Sequence, residues 1–226
     1  MEEEVEEKTA ISREVRISAD SIALPGELSV PSRAEGLVLF AHGSGSGRHS
    51  PRNQYVAQVI REAGVGTLLF DLLTREEERI DLQTRYLRFD IDLLARRLVG
   101  ATEWAKKQKE TAPLRIGYFG ASAGGGAALV VAAEMGDEIG AVVSRGGRPD
   151  MAGEALSRVV SPTLLIVGEL DDVVIRLNEE ALRALRCVKE LTIVPGATHL
   201  FEEPGKLEEV ARLAADWFQR HLRADR

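Results

Sequence analysis

Short, continuous apolar runs recur along the chain at Gly36 to Ala41, Gly66 to Phe70, Leu114 to Phe119, Ile139 to Val143, Thr163 to Val167 and Leu191 to Val194. Runs this brief, without polar alternation, read as strands covered on both faces. Between them lie longer segments with apolar residues at three- and four-residue intervals: Tyr55 to Ala63, Asp90 to Lys107, Ser122 to Glu134, Glu179 to Leu185 and Leu207 to Leu222. Strand and helix in alternation predict an α/β chain with a mostly parallel, doubly wound sheet. Upstream, Glu14 to Ile17 and Ile22 to Val30 alternate in character around Pro25-Gly26, which predicts an antiparallel hairpin on the sheet edge. In the last helical segment Leu207, Val210, Ala214, Trp217, Phe218 and His221 share one face, so Trp217 and His221 are expected in and beside the core. The charged stretch Arg75 to Asp81 reads as a solvated loop.

Length and charge narrow the function classes. The chain has 226 residues and a net charge of −7, enough for one well-buried core; residues 13–226 are expected to form a single domain after an acidic tail over residues 1–12. Interleaved charges with an acidic balance argue against nucleic-acid or polybasic membrane partners. The lone cysteine, Cys187, excludes an internal disulfide framework and suits a reducing compartment; beside a helix end, it reads as an inert buried thiol. The acidic start is unlike a signal peptide, and a cytoplasmic protein is the expectation.

In a parallel sheet, ligands bind at the carboxyl ends of the strands, so chemistry is sought in the turns there. The turn after Leu114 to Phe119 reads Gly120-Ala121-Ser122-Ala123-Gly124, a strand entering a helix through Gly-x-Ser-x-Gly. This is the nucleophile-elbow pattern, in which glycines let neighbouring backbone close around a serine on a tight turn. Gly125 and Gly126 follow in the first helical turn, each at a cost of about 1 kcal/mol against alanine, which suggests close backbone approach there. The competing reading is a serine N-cap on a glycine-rich turn.

A nucleophilic serine needs a base and a carboxylate behind it. His199, just after the last strand, lies at the correct edge. The strand Thr163 to Val167 runs into Gly168-Glu169-Leu170-Asp171-Asp172, with Asp171 the first choice for the carboxylate and Asp172 the second. The order Ser, Asp, His is the one this architecture uses. Oxyanion donors are expected from the backbone N–H of Ala123 and from that of Ser44, in the loop Ala41-His42-Gly43-Ser44-Gly45. That loop lacks the spacing of a phosphate-binding loop. His42 reads as a strut for it rather than a second base, and with Gly43 and Arg145 as pocket residues.

In these motifs the sequence resembles the α/β-hydrolases, and specifically the compact, lid-poor dienelactone hydrolase branch. The resemblance spans nearly the whole chain and rests on Ala41-His42-Gly43-Ser44-Gly45, Gly120-Ala121-Ser122-Ala123-Gly124, Gly168-Glu169-Leu170-Asp171 and Gly196-Ala197-Thr198-His199. It implies an α/β-hydrolase fold with no large lid domain, and neither cofactor nor metal. Dienelactone hydrolases proper carry cysteine where this chain has Ser122, which points to a carboxylesterase acting on small esters or lactones. A thioesterase, a peptidase, or a non-catalytic sensor on the same fold are the alternatives. Arg145 and Arg148, after Ile139 to Val143, either receive an acidic substrate or pin loops through Asp71, Asp150 or a carbonyl; pinning is the first expectation.

Overall fold

The computed structural model describes residues 10–19, 21–43 and 45–223. Its eight strands are β1 (Ile11–Ala19), β2 (Ile22–Val30), β3 (Gly36–Ala41), β4 (Gly66–Phe70), β5 (Arg115–Ala121), β6 (Ile139–Arg145), β7 (Thr163–Gly168) and β8 (Lys189–Val194). They form one sheet in the order β1-β2-β4-β3-β5-β6-β7-β8. From β4 to β8 every pairing is parallel, while β1 and β2 are antiparallel to each other and β2 is antiparallel to β4. All six apolar runs are strands. β5 and β6 each run two residues beyond the expected end, bringing Ala121 opposite Arg145 beside the elbow.

The edge hairpin is present, but its turn is not at Pro25-Gly26. β2 continues through both residues, with Arg16 opposite Pro25 and Val15 opposite Gly26. Gly26 is there for space: a Cβ would stand 3.1 Å from each of Ile17 Cδ1, Val15 Cγ2 and the Leu69 carbonyl. β1 also begins at Ile11, inside the segment expected as a tail; residues 1–9 of that tail lie outside the described residues.

Helices cover both faces. α1 (Pro51–Glu62) and α6 (Lys206–His221) close one face over Val38, Phe40, Phe119, Val143 and Ile166. α3 (Ile91–Lys107), α4 (Ala123–Met135) and α5 (Asp172–Ala184) close the other over Leu39, Leu68, Tyr118, Val142 and Leu165. Each fully buried Leu, Ile or Phe contributes about 1.5–3 kcal/mol, so these two layers dominate stability. In α4 the small residues Ala123 to Ala128 are all buried, which lets this helix lie close to the sheet. Trp217 is buried in the α1 and α6 layer, with the His221 ring 4.5 Å away at its margin.

Two expectations change. The Arg75 to Asp81 stretch is not a loop but most of α2 (Arg75–Thr84), started by a capping box in which the Thr74 hydroxyl accepts the Glu77 N–H and the Glu77 carboxylate accepts the Thr74 N–H. Local capping outweighs the missing apolar stripe: Ile80 and Leu82 are exposed. Cys187 lies past α5 in the bend before β8, half-buried with its thiol 3.7 Å from Thr163 Oγ1. Among the described residues no helix is long and apolar enough to cross a membrane.

Candidate active site

β5 ends at Ala121 and α4 begins at Ala123, so Ser122 alone makes the turn, at φ 51° and ψ −126°. A side chain in this left-handed region is strained at a cost of about 1–3 kcal/mol, and it persists only where the surroundings enforce it. They do so through backbone: the Ser122 carbonyl accepts the Gly125 and Arg148 N–H groups, each at 3.0 Å. The flanking glycines are required by proximity. A Cβ on Gly120 would lie 2.5 Å from Gly125 Cα, and one on Gly124 2.0 Å from the Ala41 carbonyl oxygen. Gly125 and Gly126 likewise face Ser144 Oγ and the Arg148 carbonyl at distances no Cβ tolerates.

The histidine and the carboxylate meet. His199 Nδ1–H donates to Asp171 Oδ2 at 2.6 Å, so its Nε2 carries the free lone pair. Asp171 is the N-cap of α5, whereas Asp172 is the first helical residue and points to solvent. The two loops are interlocked by the Leu170 N–H on the Ala197 carbonyl (2.9 Å) and the Gly196 N–H on Glu169 (2.7 Å). The loop after β6 closes in from the other side: a Cβ on Gly146 would touch the His199 ring at 3.3 Å. Ser122 reaches the end of β6, where that loop starts, through its N–H to the Arg145 carbonyl, 3.4 Å.

On the opposite side, Gly43 abuts the serine; a Cβ there would sit 3.0 Å from Ser122 Cβ. His42 has both nitrogens on backbone: Nδ1–H donates to the Gly43 carbonyl (3.0 Å) and Nε2 accepts the Leu72 N–H (2.9 Å). Burial holds its pKa below the ordinary histidine value. Ser44 lies outside the described residues. Ala123 provides the first N–H of α4, in the turn whose amides lack intrahelical partners. Beside Gly43 opens a cavity of about 580 Å³, lined among others by His42, Arg48, Arg52, Asp71 and Leu94 and walled by α2.

The arginines divide. Arg148 is pinned to Asp150 by two bonds of 2.8 and 2.7 Å, and Arg48 pairs with Asp71. Arg145 pairs with no acid among the described residues; it lies 8% exposed on the α1 and α6 face with its guanidinium 5.8 Å from the Phe119 ring centroid. Burial, and then the charge of Arg52, lower its pKa to about 10, so it is still a cation at neutral pH. Arg52, in the first turn of α1, is a residue the sequence reading passed over. Its signal was a cation where the helix dipole disfavours one.

An eight-stranded, mostly parallel sheet carrying a serine on a left-handed strand-to-helix turn, with histidine and aspartate in the last two loops, defines the α/β-hydrolase class. Within it the chain belongs to the dienelactone hydrolase family, whose sequence profile matches residues 31–224. A dienelactone hydrolase from Anabaena variabilis ATCC 29413 is 59% identical, with a TM-score of 0.93 over 95% of this chain and 100% of that one. Est1E from Butyrivibrio proteoclasticus shares the fold at 17% identity, with a TM-score of 0.77 over 92% of this chain and 98% of that one. A Mycobacterium tuberculosis protein with the provisional name phosphoribosyl transferase is 58% identical over 209 residues, 92% of this chain but 46% of that protein. The chain thus spans about half the length of that relative.

Proposed function

We propose that this chain is a serine hydrolase that cleaves small carboxylic esters or lactones through an acyl-enzyme on Ser122. The observation that carries the reading is the 2.6 Å bond from His199 to Asp171, which leaves Nε2 as the basic nitrogen. In this mechanism His199 takes the Ser122 proton as Oγ attacks the carbonyl carbon, then returns it to the leaving oxygen; water repeats the sequence to release the acid. Asp171 fixes the tautomer and stabilises the imidazolium. The N–H groups of Ala123 and Ser44 receive the oxyanion, aided by the dipole of α4. Serine in place of the family's cysteine favours esters over the dienelactone itself. The phosphoribosyl-transfer name of the longer relative is not carried to this chain, which matches 46% of that protein. The working setting is cytoplasmic, with a small molecule rather than nucleic acid or membrane as partner.

A fluorophosphonate probe captures only an activated serine. Labelling of Ser122, abolished in Ser122→Ala, is the expected result; no labelling of the folded protein favours the non-catalytic sensor. Rates on short p-nitrophenyl, thioester and lactone substrates then separate esterase, thioesterase and lactonase.

A further inference from the structure

We infer that Asn53, on α1, is a positioning residue of the site: its side-chain amide holds the loop after β3 in the shape that receives the oxyanion. The inference rests on the hydrolase reading and adds a residue to its machinery.

α1 packs on the sheet through Asn53, Val56, Ala57 and Ile60, the i, i+3, i+4, i+7 stripe of a core-facing helix. Three of these four are apolar. Asn53 is 2% exposed at a place where such a stripe calls for an apolar side chain, and a polar residue there is unfavourable unless it has a task. Its Nδ2 donates to Ser46 Oγ at 3.2 Å and to the Gly47 carbonyl at 3.4 Å. Its Oδ1 is fully buried and accepts nothing, so the amide leaves its acceptor unanswered while both donors are aimed at one loop. Exceptions to local rules of this kind gather at functional sites.

The loop leads directly to the serine. The Ser46 N–H donates to the Gly43 carbonyl at 3.2 Å, and a Cβ on Gly43 would stand 3.0 Å from Ser122 Cβ. One hydrogen bond thus separates a residue that Asn53 holds from the residue that abuts the nucleophile. The far part of the loop is fixed by Asp71, which accepts the Arg48 N–H at 2.9 Å, and by Gln54, which donates to the Arg48 carbonyl at 2.7 Å. Asn53 holds the part nearer the serine, from which the mechanism above takes an oxyanion donor. Such a donor works because it is already in place when charge develops, and a misplacement of about 1 Å costs about 10²-fold in rate.

The test is Asn53→Leu, which keeps the volume and removes both donors together with the orphaned acceptor. On p-nitrophenyl butyrate kcat is expected to fall about 10²-fold, the scale of that misplacement, with KM nearly unchanged and Tm unchanged or raised. Phenylboronic acid, whose tetrahedral adduct on serine resembles the intermediate, loses affinity in parallel with kcat. Ser46→Ala, a milder change on the half-buried loop, removes one of the two bonds. It lowers kcat about 2- to 10-fold, the scale of one neutral hydrogen bond, and adds little on top of Asn53→Leu. A folded Asn53→Leu protein with wild-type kcat, or a loss confined to KM, overturns the inference. Should the leucine variant not fold, an unchanged kcat in Ser46→Ala overturns it as well. Wild-type protein that takes no fluorophosphonate overturns the hydrolase reading and this inference together, whereas labelled wild type with unaffected variants overturns this inference alone.

Discussion

His42 Nε2 accepts the backbone N–H of Leu72 at 2.9 Å, tying the loop after β3 to the loop after β4. The bond exists only while Nε2 is unprotonated, and burial lowers the histidine's pKa in the folded chain. The unfolded chain takes up its proton near pH 6.5. Above that pH the contribution is fully present; below it the unfolded state alone is protonated, and stability is lost as pH falls towards the lowered folded value. The slope is at most about 1.4 kcal/mol per pH unit for this one group. Subtracting the Tm profile of His42→Gln from that of wild type between pH 8 and 5 isolates it from the other histidines. A difference that does not narrow on acidification would show that His42 is not the sensor.

Asp171→Asn keeps the shape beside His199 but presents an amide that favours the wrong imidazole tautomer. In a comparable triad such a change lowers kcat about 10⁴-fold. Asp172→Asn, on the solvent side of α5, is expected to stay within about tenfold, since it removes only a dipole interaction. Steady-state kinetics on one ester decides: the larger loss at Asp172 would reverse the assignment.

Glu77 does two jobs. One carboxylate oxygen accepts the Thr74 N–H and the other the Arg97 guanidinium, each at 2.7 Å. Thr74→Ala costs one cap, about 1 kcal/mol. Glu77→Ala also strands a buried arginine and should cost about 3 kcal/mol. Urea midpoints of the two variants measure the gap, and equal losses would mean that the Arg97 pair contributes nothing.

Five of the six runs were legible because a strand covered on both faces is almost wholly apolar, so its ends show; the sixth, in β8, kept the apolar signature although only Val194 is fully buried. Pro25-Gly26 misled for a physical reason: the glycine answers crowding from Val15, Ile17 and Leu69, and one sequence does not reveal what crowds a residue. α2 was hidden because its apolar residues face outwards, although Thr74 and Glu77 three apart already spelled a capping box. In the candidate site, the placement of Ser122 on the strand-to-helix turn and the meeting of Asp171 with His199 were readable from the turns that carry them. The isolation of Arg145 was not, since nothing in Ser144-Arg145-Gly146 tells which arginine finds an acid.

β8 is the last strand of the sheet, and only Val194 along it is fully buried. The loop it supports carries His199. Edges with little buried surface open first as a protein warms, well below the temperature at which the centre gives way. On the proposed mechanism the serine, set between β5 and α4, would then stay in place while its proposed base, His199, drifts off. Heat is then expected to silence the proposed activity reversibly before it denatures the protein, because that base hangs from the thinly buried edge of the sheet.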